Sequence, residues 1–242
     1  MAAKKSSTET TVKKINVPEN IRDCTFFKRL PFKLDEEQWK FVEAVWNKDN
    51  IGVFCNACAG SSKTTLATAM ALLMTAEFKM YESIHYIVSP CQESTLGFLP
   101  GNVDDKISYY IDPLIDAILT CGYDPDKLIV KEDNMENVKN GTAIINAIPS
   151  TFLRGRNFQN SFVIIDEIQN ATTHEIKKIL SRCHDNCKIL CLGHTGQIDL
   201  KFPQDSGFSR YLDSARKQDF IEIVELTKDY RGKFSQWADS MS

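Results

Sequence analysis

A lysine and two threonines close a run of small residues, Cys55-Asn56-Ala57-Cys58-Ala59-Gly60-Ser61-Ser62-Lys63-Thr64-Thr65. Small side chains let successive backbone N–H groups curl toward an anion, and a lysine at the end of the curl adds a full positive charge. The flanks fit this use. Ile51-Gly52-Val53-Phe54 reads as a buried strand, and Leu66 to Met74 reads as a helix whose N-terminus contributes a further partial charge. Ala57, Cys58, Ala59, Gly60, Ser61, Ser62, Lys63, Thr64 and Thr65 therefore make a candidate phosphate-binding loop. In it Lys63 meets phosphate and the Thr64 hydroxyl holds Mg²⁺. The pattern G-x-x-x-x-G-K-[ST] has glycine where this chain has Ala57 and Ser62. Ser62 is the more demanding departure, because its Cβ must fit where glycine usually sits. The competing reading is a strand-to-helix turn in which Lys63 is a solvated charge.

Downstream residues favour the phosphate reading. Phe162-Val163-Ile164-Ile165-Asp166-Glu167 is an apolar run ending in two carboxylates. Such a pair can simply open the next helix, where acids suit the dipole. In a chain that also has Lys63-Thr64, Asp166 suits the Mg²⁺ shell, and Glu167 suits the water that attacks a phosphate, as proton acceptor or as orienter. In parallel α/β sheets ligands gather at the carboxyl ends of the strands, so the two loops are expected to meet there. Lys188-Ile189-Leu190-Cys191-Leu192 reads as another buried strand. Gln197, in the loop after it, is a candidate sensor of the γ-phosphate. Arg231, after the final strand Phe220–Leu226, is a candidate arginine finger, although an exposed arginine is usually only surface. Gln38 has two readings. It can complete a capping box with Asp35, or Asp35 can cap alone and leave the Gln38 amide free to read adenine.

Composition bounds these possibilities. The 242 residues are 43% hydrophobic and 25% charged with a net charge of −3, as in ordinary globular chains. No overall basic field announces nucleic acid, no run is long and apolar enough to span a membrane, and the N-terminal lysines precede no apolar secretory core. The eight cysteines are expected to be reduced thiols in an intracellular, cytoplasmic protein. Two alternatives carry less weight. Cys55-x-x-Cys58 has redox spacing but falls inside the phosphate loop. Cys183, Cys187 and Cys191 lack a common zinc spacing, and Cys191 sits within a strand.

Along the chain, residues 1–17 are expected to be a disordered arm and 18–242 a single α/β domain. The first firm element is expected at Asp35, with Trp39, Val42, Val45 and Trp46 on one helical face. A strand over Ser83–Ser89 contains His85 as a sheet residue. A Gly/Pro-punctuated loop spans Leu96–Gly101. A helix follows over Asp104–Thr120, kinked or broken at Pro113. Residues 123–141 read as a polar insertion before a strand at Thr142–Ile148. Arg154 and Arg156 make a compact basic loop, and Ala171–Arg182 reads as a helix.

Taken in order, Ala57–Thr65, Leu96–Gly101 (LGFLPG), Thr151–Arg156 (TFLRGR), Ile164–Asn170 (IIDEIQN) and Gln197–Leu200 (QIDL) closely resemble the PhoH family, phosphate-starvation-inducible ATPases of bacteria and phages. The resemblance covers about Leu34 to Tyr230. It implies a RecA-like P-loop NTPase fold, a mostly parallel sheet flanked by helices, like the N-terminal half of superfamily 1 helicases. It further implies ATP and Mg²⁺ as ligands and ATP hydrolysis as the activity. RNA or single-stranded DNA would be partners, a homo-oligomer (a hexamer) the assembly, and the host cytoplasm the location if the chain is phage-encoded. Carried across, Lys63 and Thr64 serve phosphate and Mg²⁺, Asp166 and Glu167 serve metal and water, Gln197 senses the γ-phosphate, and Gln38 and Arg231 are weaker transfers. Ser62 departs from the family's glycine and His194 from its aspartate. A nucleotide-dependent binding switch with negligible hydrolysis is the alternative. A small-molecule kinase fits the Asp-Glu strand end and Gln197 less well.

Overall fold

Strands buried on both faces read as unbroken apolar runs, and such runs form the centre of the sheet of this protein, while the edge strand Ile221–Leu226 is interrupted by exposed glutamates. A computed structural model describes residues 17–88, 103–131, 134–153 and 155–241. The expected arm, up to residue 16, lies outside the described residues, as do Cys91, the Leu96–Gly101 loop and Arg154. Among the described residues the strands are β1 (Gly52–Ala57), β2 (Ser83–Val88), β3 (Ile145–Pro149), β4 (Ser161–Asp166), β5 (Lys188–Gly193) and β6 (Ile221–Leu226). They lie in the order β3-β2-β4-β5-β1-β6, and every neighbouring pair is parallel. The expected mostly parallel sheet is thus parallel throughout its described strands.

The helices are α1 (Glu36–Trp46), α2 (Lys63–Leu72), α3 (Val103–Thr120), α4 (Pro125–Leu128), α5 (Met135–Lys139), α6 (Thr173–Leu180), α7 (Phe208–Ala215) and α8 (Lys233–Asp239). The period-two alternation of strand side chains divides the core into two layers. Val53, Cys55, Tyr86, Phe162, Ile164 and Leu190 face one way and pack with α1, α2 and α3. Phe54, Ile87, Val163, Ile165 and Cys191 face the other way and pack with α6 and α7. Helix α2 is buried from Leu66 to Leu72, which explains its small and apolar composition.

Several local expectations are corrected. The helix after the phosphate loop ends at Leu72 and continues as a wider turn over Leu73–Glu77. Of the kink or break expected at Pro113, the break does not occur: α3 runs through it. Strand β3 begins at Ile145 rather than Thr142, because the N–H groups of Thr142 and Ala143 bond back to the Asn137 carbonyl. Order begins before Asp35. Two short 3-10 turns, Ile21–Asp23 and Thr25–Arg29, carry Ile21, Phe26 and Phe27 into the core, with Leu30 just beyond. Elements that short are held by tertiary packing rather than by their own propensity, so no periodicity announces them. Helices α7 and α8 are likewise additions to the sequence reading.

A buried lysine lies at the start of a core strand. Lys188 opens β5, is buried, and donates to the Asn47 carbonyl at 2.8 Å and to the Asn50 carbonyl, tying β5 to the end of α1. Burial pulls its ammonium down to about 8, against the small opposing charge of Asp49. A lysine with a depressed folded pKa binds fewer protons folded than unfolded between about pH 8 and its ordinary value, so its contribution to stability rises with pH across that window. Urea unfolding of wild type and Lys188→Met from pH 7.5 to 10.5 should show the wild type gaining on the variant by up to about 3 kcal/mol. A difference independent of pH would contradict this.

Candidate functional site

In a parallel sheet all the strand C-termini share one edge. Here β1 lies between β5 and β6, and β5 lies beside β4. The loops after β1, β4, β5 and β6 are therefore neighbours although they are scattered along the sequence.

The phosphate loop leaves β1 at Ala57 and turns into α2 at Lys63. Two residues make the turn: Gly60 at φ +71° and Ser62 at φ +68°. The departure at Ser62 is thus accommodated by a left-handed backbone, a modest strain for a residue with a Cβ. Gly60 has less freedom. A Cβ there would lie 2.0 Å from Asp229 Oδ1 and 2.6 Å from Arg231 Nε, because the segment after β6 packs on the loop. The Tyr230 N–H donates to the Gly60 carbonyl at 3.0 Å, and the Cys58 N–H to the Leu226 carbonyl at 3.0 Å.

Lys63, Thr64, Asp166 and Glu167 come together. Thr64 Oγ1 donates to Asp166 Oδ2 at 2.8 Å, and Lys63 Nζ lies 3.3 Å from Glu167 Oε1. Asp166 is almost wholly buried and accepts two more bonds, from the Tyr86 hydroxyl at 2.9 Å and from the Glu167 N–H at 2.9 Å. Burial and the neighbouring Glu167 charge push its carboxyl above the ordinary carboxylate range, while Lys63 and the two hydroxyls pull the other way. Burial acts to lower the Lys63 ammonium, but the charges of Glu167 and Asp166 outweigh it and leave it raised. Glu167 itself is held at φ +52°, a left-handed conformation at the strand end that turns its side chain toward Lys63. An all-oxygen pair of a buried carboxylate and a hydroxyl suits Mg²⁺, which commonly takes one or two carboxylates and fills the rest of its shell from phosphate and water.

Gln197 stands exposed on the loop after β5. Burial and the Lys63 charge hold the His194 imidazole below its ordinary range. That loop is anchored by side-chain amides from two other strand ends. Asn56 Oδ1 accepts from the Thr195 N–H at 3.1 Å, Gln169 Oε1 from the His194 N–H at 3.2 Å, and Asn170 Oδ1 from the Asp199 N–H at 2.8 Å.

Gln38 is not left free, contrary to one of its two readings. Its Oε1 accepts from the Asp35 N–H at 3.1 Å, completing the capping box, and its Nε2 donates to the Ser61 carbonyl at 3.4 Å. The residue is therefore a brace between α1 and the phosphate loop. Arg231 lies against the loop of its own chain. It is paired with Asp229 at 2.9 Å and with Asp239. Asp35 completes the lacing, accepting from Lys228 and from the Tyr230 hydroxyl at 2.5 Å each. Burial acts to raise its carboxyl, but these donors and the Gln38 N–H bring it down to about 2.

The minor alternatives find little support in the geometry. Burial raises the thiols of Cys55 and Cys58, away from the thiolate that redox chemistry needs. Cys183 and Cys187 bond to different carbonyls, Ile179 at 3.8 Å and Phe158 at 3.2 Å, while Cys191 is buried in β5.

Tyr86, Gln169, Asn56 and Asn170 escaped the sequence reading as site residues. Tyr86 and Asn56 lie inside strands, where a polar side chain in an apolar run is the available signal. Gln169 and Asn170 follow the acid pair directly, which is a stronger one.

A parallel sheet with a phosphate loop after β1 and an acid pair at the end of β4 defines a RecA-like P-loop NTPase fold. The same fold appears in the UvsW helicase from bacteriophage T4 (TM-score 0.51, 13% identity, 80% of this chain and 60% of that one). It also appears in the HK97 bacteriophage large terminase (TM-score 0.51, 13% identity, 81% and 40%). Within this class the chain belongs to the PhoH family: residues 33–238 match the family described as PhoH-like protein. A PhoH-like protein of Mycobacterium bovis is 33% identical over 192 residues, covering 78% of this chain and 51% of its own length. Protein PhoH2 of Bacillus subtilis is 29% identical over 88% of this chain and 50% of its own, and Protein PhoH of Escherichia coli is 27% identical over 81% and 52%. The chain thus spans about half the length of these relatives. No helix among the described residues is long and apolar enough to cross a membrane.

The packing at Gly60 is directly testable. Gly60→Ala combines a positive φ with a clash against Asp229. Gly141→Ala has a similar φ of +69° but open space. Urea unfolding should show about 1 kcal/mol lost at Gly141 and at least about twice that at Gly60. Equal losses would mean that the segment after β6 yields without cost.

Proposed function

We propose that this protein binds ATP with Mg²⁺ and hydrolyses it. The observation that carries the proposal is the meeting of four residues from two strand ends, with Lys63 Nζ 3.3 Å from Glu167 Oε1 and Thr64 Oγ1 2.8 Å from Asp166 Oδ2. Lysine and loop N–H groups suit the β- and γ-phosphates. Thr64 and Asp166 would hold Mg²⁺, which when bound neutralises charge on the phosphate oxygens. Glu167 is half-exposed and therefore accessible to a water molecule. Attack by that water on the γ-phosphorus forms one P–O bond and breaks the bond to the β-phosphate. The departing ADP keeps the electron pair, and Glu167 takes or directs the proton of the water. Gln197 is assigned to the γ-phosphate edge, and Gln38 to the loop with the adenine side beyond it. Arg231 would have to exchange Asp229 and Asp239 before it could reach a phosphate of its own or a neighbouring subunit.

Coupling to RNA or single-stranded DNA is the second part of the proposal, motivated by the fold shared with a phage helicase. A ring of copies, a hexamer, is the assembly proposed with it, each copy setting its RecA-like unit beside a neighbour's. Residues 18–242 acting as one domain in the cytoplasm complete this reading.

The test is phosphate release from ATP with Mg²⁺, with and without single-stranded RNA or DNA. Lys63→Ala and Glu167→Gln should each lower kcat by at least about a hundredfold. Glu167→Gln should still bind nucleotide. Turnover that survives both substitutions would sink the ATPase assignment. ATP binding without turnover in the wild type would leave the nucleotide-dependent switch as the better account. Stimulation by one polymer identifies the partner, and mass photometry reports the assembly.

A further inference from the structure

Glu167 has two carboxylate oxygens, and they have different partners. Oε1 faces Lys63 at 3.3 Å, while Oε2 accepts from Gln169 Nε2 at 2.6 Å. Gln169 is 1% exposed, so its amide orientation is decided by its partners rather than by solvent. The partners decide it without ambiguity. Its other end meets the His194 N–H at 3.2 Å, and a backbone N–H can be accepted only by the amide oxygen. The NH₂ must therefore point at Glu167. One side chain thus spans from the acid after β4 to the first residue after β5, on the loop that carries Gln197.

The path is built for close approach. A Cβ at Gly193 would sit 2.9 Å from Gln169 Oε1, so only glycine at the end of β5 admits the amide. A second pair clamps the same two loops alongside it. Asn170 Nδ2 donates to Asp199 Oδ2 at 3.1 Å, and Asn170 Oδ1 accepts from the Asp199 N–H at 2.8 Å.

We infer that Gln169 is the positioning residue of the site: it holds Oε2 of Glu167, leaves Oε1 as the oxygen that serves water, and ties that acid to the loop carrying Gln197. This rests on the ATPase reading above. Lys63 is the competitor for Oε1, and a triphosphate draws the same ammonium more strongly than one carboxylate does. When Lys63 turns to phosphate, the bond from Gln169 keeps the carboxylate from following it. Gln169 acts through Glu167 and the β5 loop, and touches neither phosphate nor metal.

The experiment is a double-mutant cycle on ATP turnover, with nucleotide affinity measured separately using a fluorescent ATP analogue. Gln169→Glu keeps the acceptor for His194 but replaces the donor facing Glu167 with a like charge. It should lower kcat at least tenfold while the nucleotide Kd changes less than twofold. Gln169→Asn, too short to span both bonds, should show the same split with a similar thermal midpoint. In a Glu167→Gln background, Gln169→Glu should cost less than threefold more, since the group it positions is already gone. An unchanged kcat in both Gln169 variants, a loss of affinity in place of kcat, or a full additive loss in the Glu167→Gln background would overturn the assignment. Absence of Lys63-dependent turnover in the wild type would instead overturn the ATPase reading, and this role with it.

Discussion

A carboxylate taken out of water must be given partners, and Asp166 is the point from which the site can be understood. It is nearly inaccessible, yet it carries three donors: the Thr64 hydroxyl, the Tyr86 hydroxyl and the N–H of the next residue. The Thr64 bond joins residues 102 apart in sequence. It is possible only because β4 and the phosphate loop end at the same edge of a parallel sheet. An unpaired charge in that position would be costly, so the loop, β2 and β4 are each constrained by the need to satisfy it. The same need makes the position suitable for a hard cation, which would replace hydrogen-bond donors with a stronger partner.

Around that carboxylate the strand ends are laced together by polar side chains rather than by apolar packing. Asn56, Gln169 and Asn170 each accept a backbone N–H from the loop after β5. On the other side Gln38 and Asp35 connect α1 to the phosphate loop and to Lys228 and Tyr230. Bidentate amides suit this task because each can accept from one loop and donate to another. Loops held so are pre-organised, and pre-organised dipoles lose little on reorganising when charge develops.

Much of this was legible in the amino-acid order. The strands appeared as apolar runs because both faces of a parallel sheet are covered. The small-residue loop with Lys63-Thr64, and the acids at the end of the Phe162–Asp166 run, stood out because their chemistry requires those residue types at strand ends. Elements with no periodicity of their own were harder to read. The turns over residues 21–29 owe their order to Phe27 packing on Trp39 of α1 and to Phe26 joining the same core, and α7 to the burial of Phe208 and Leu212 beneath the far face of the sheet. Pro113 read as a kink or a break, and of the two the break does not occur, since α3 runs through it.

By itself, then, the sequence determined the class of fold, the phosphate loop and the acid pair, because local composition encodes a strand, a turn and a charge directly. The tertiary structure alone decided which groups meet. The strand order β3-β2-β4-β5-β1-β6 is a property of the whole sheet, and it sets Tyr86 on Asp166, Gln169 between Glu167 and His194, and Arg231 against Gly60. The contacts of Tyr86 with Asp166, of Gln169 with His194 and of Arg231 with Gly60 join segments far apart in sequence, and no window of neighbouring residues contains that information.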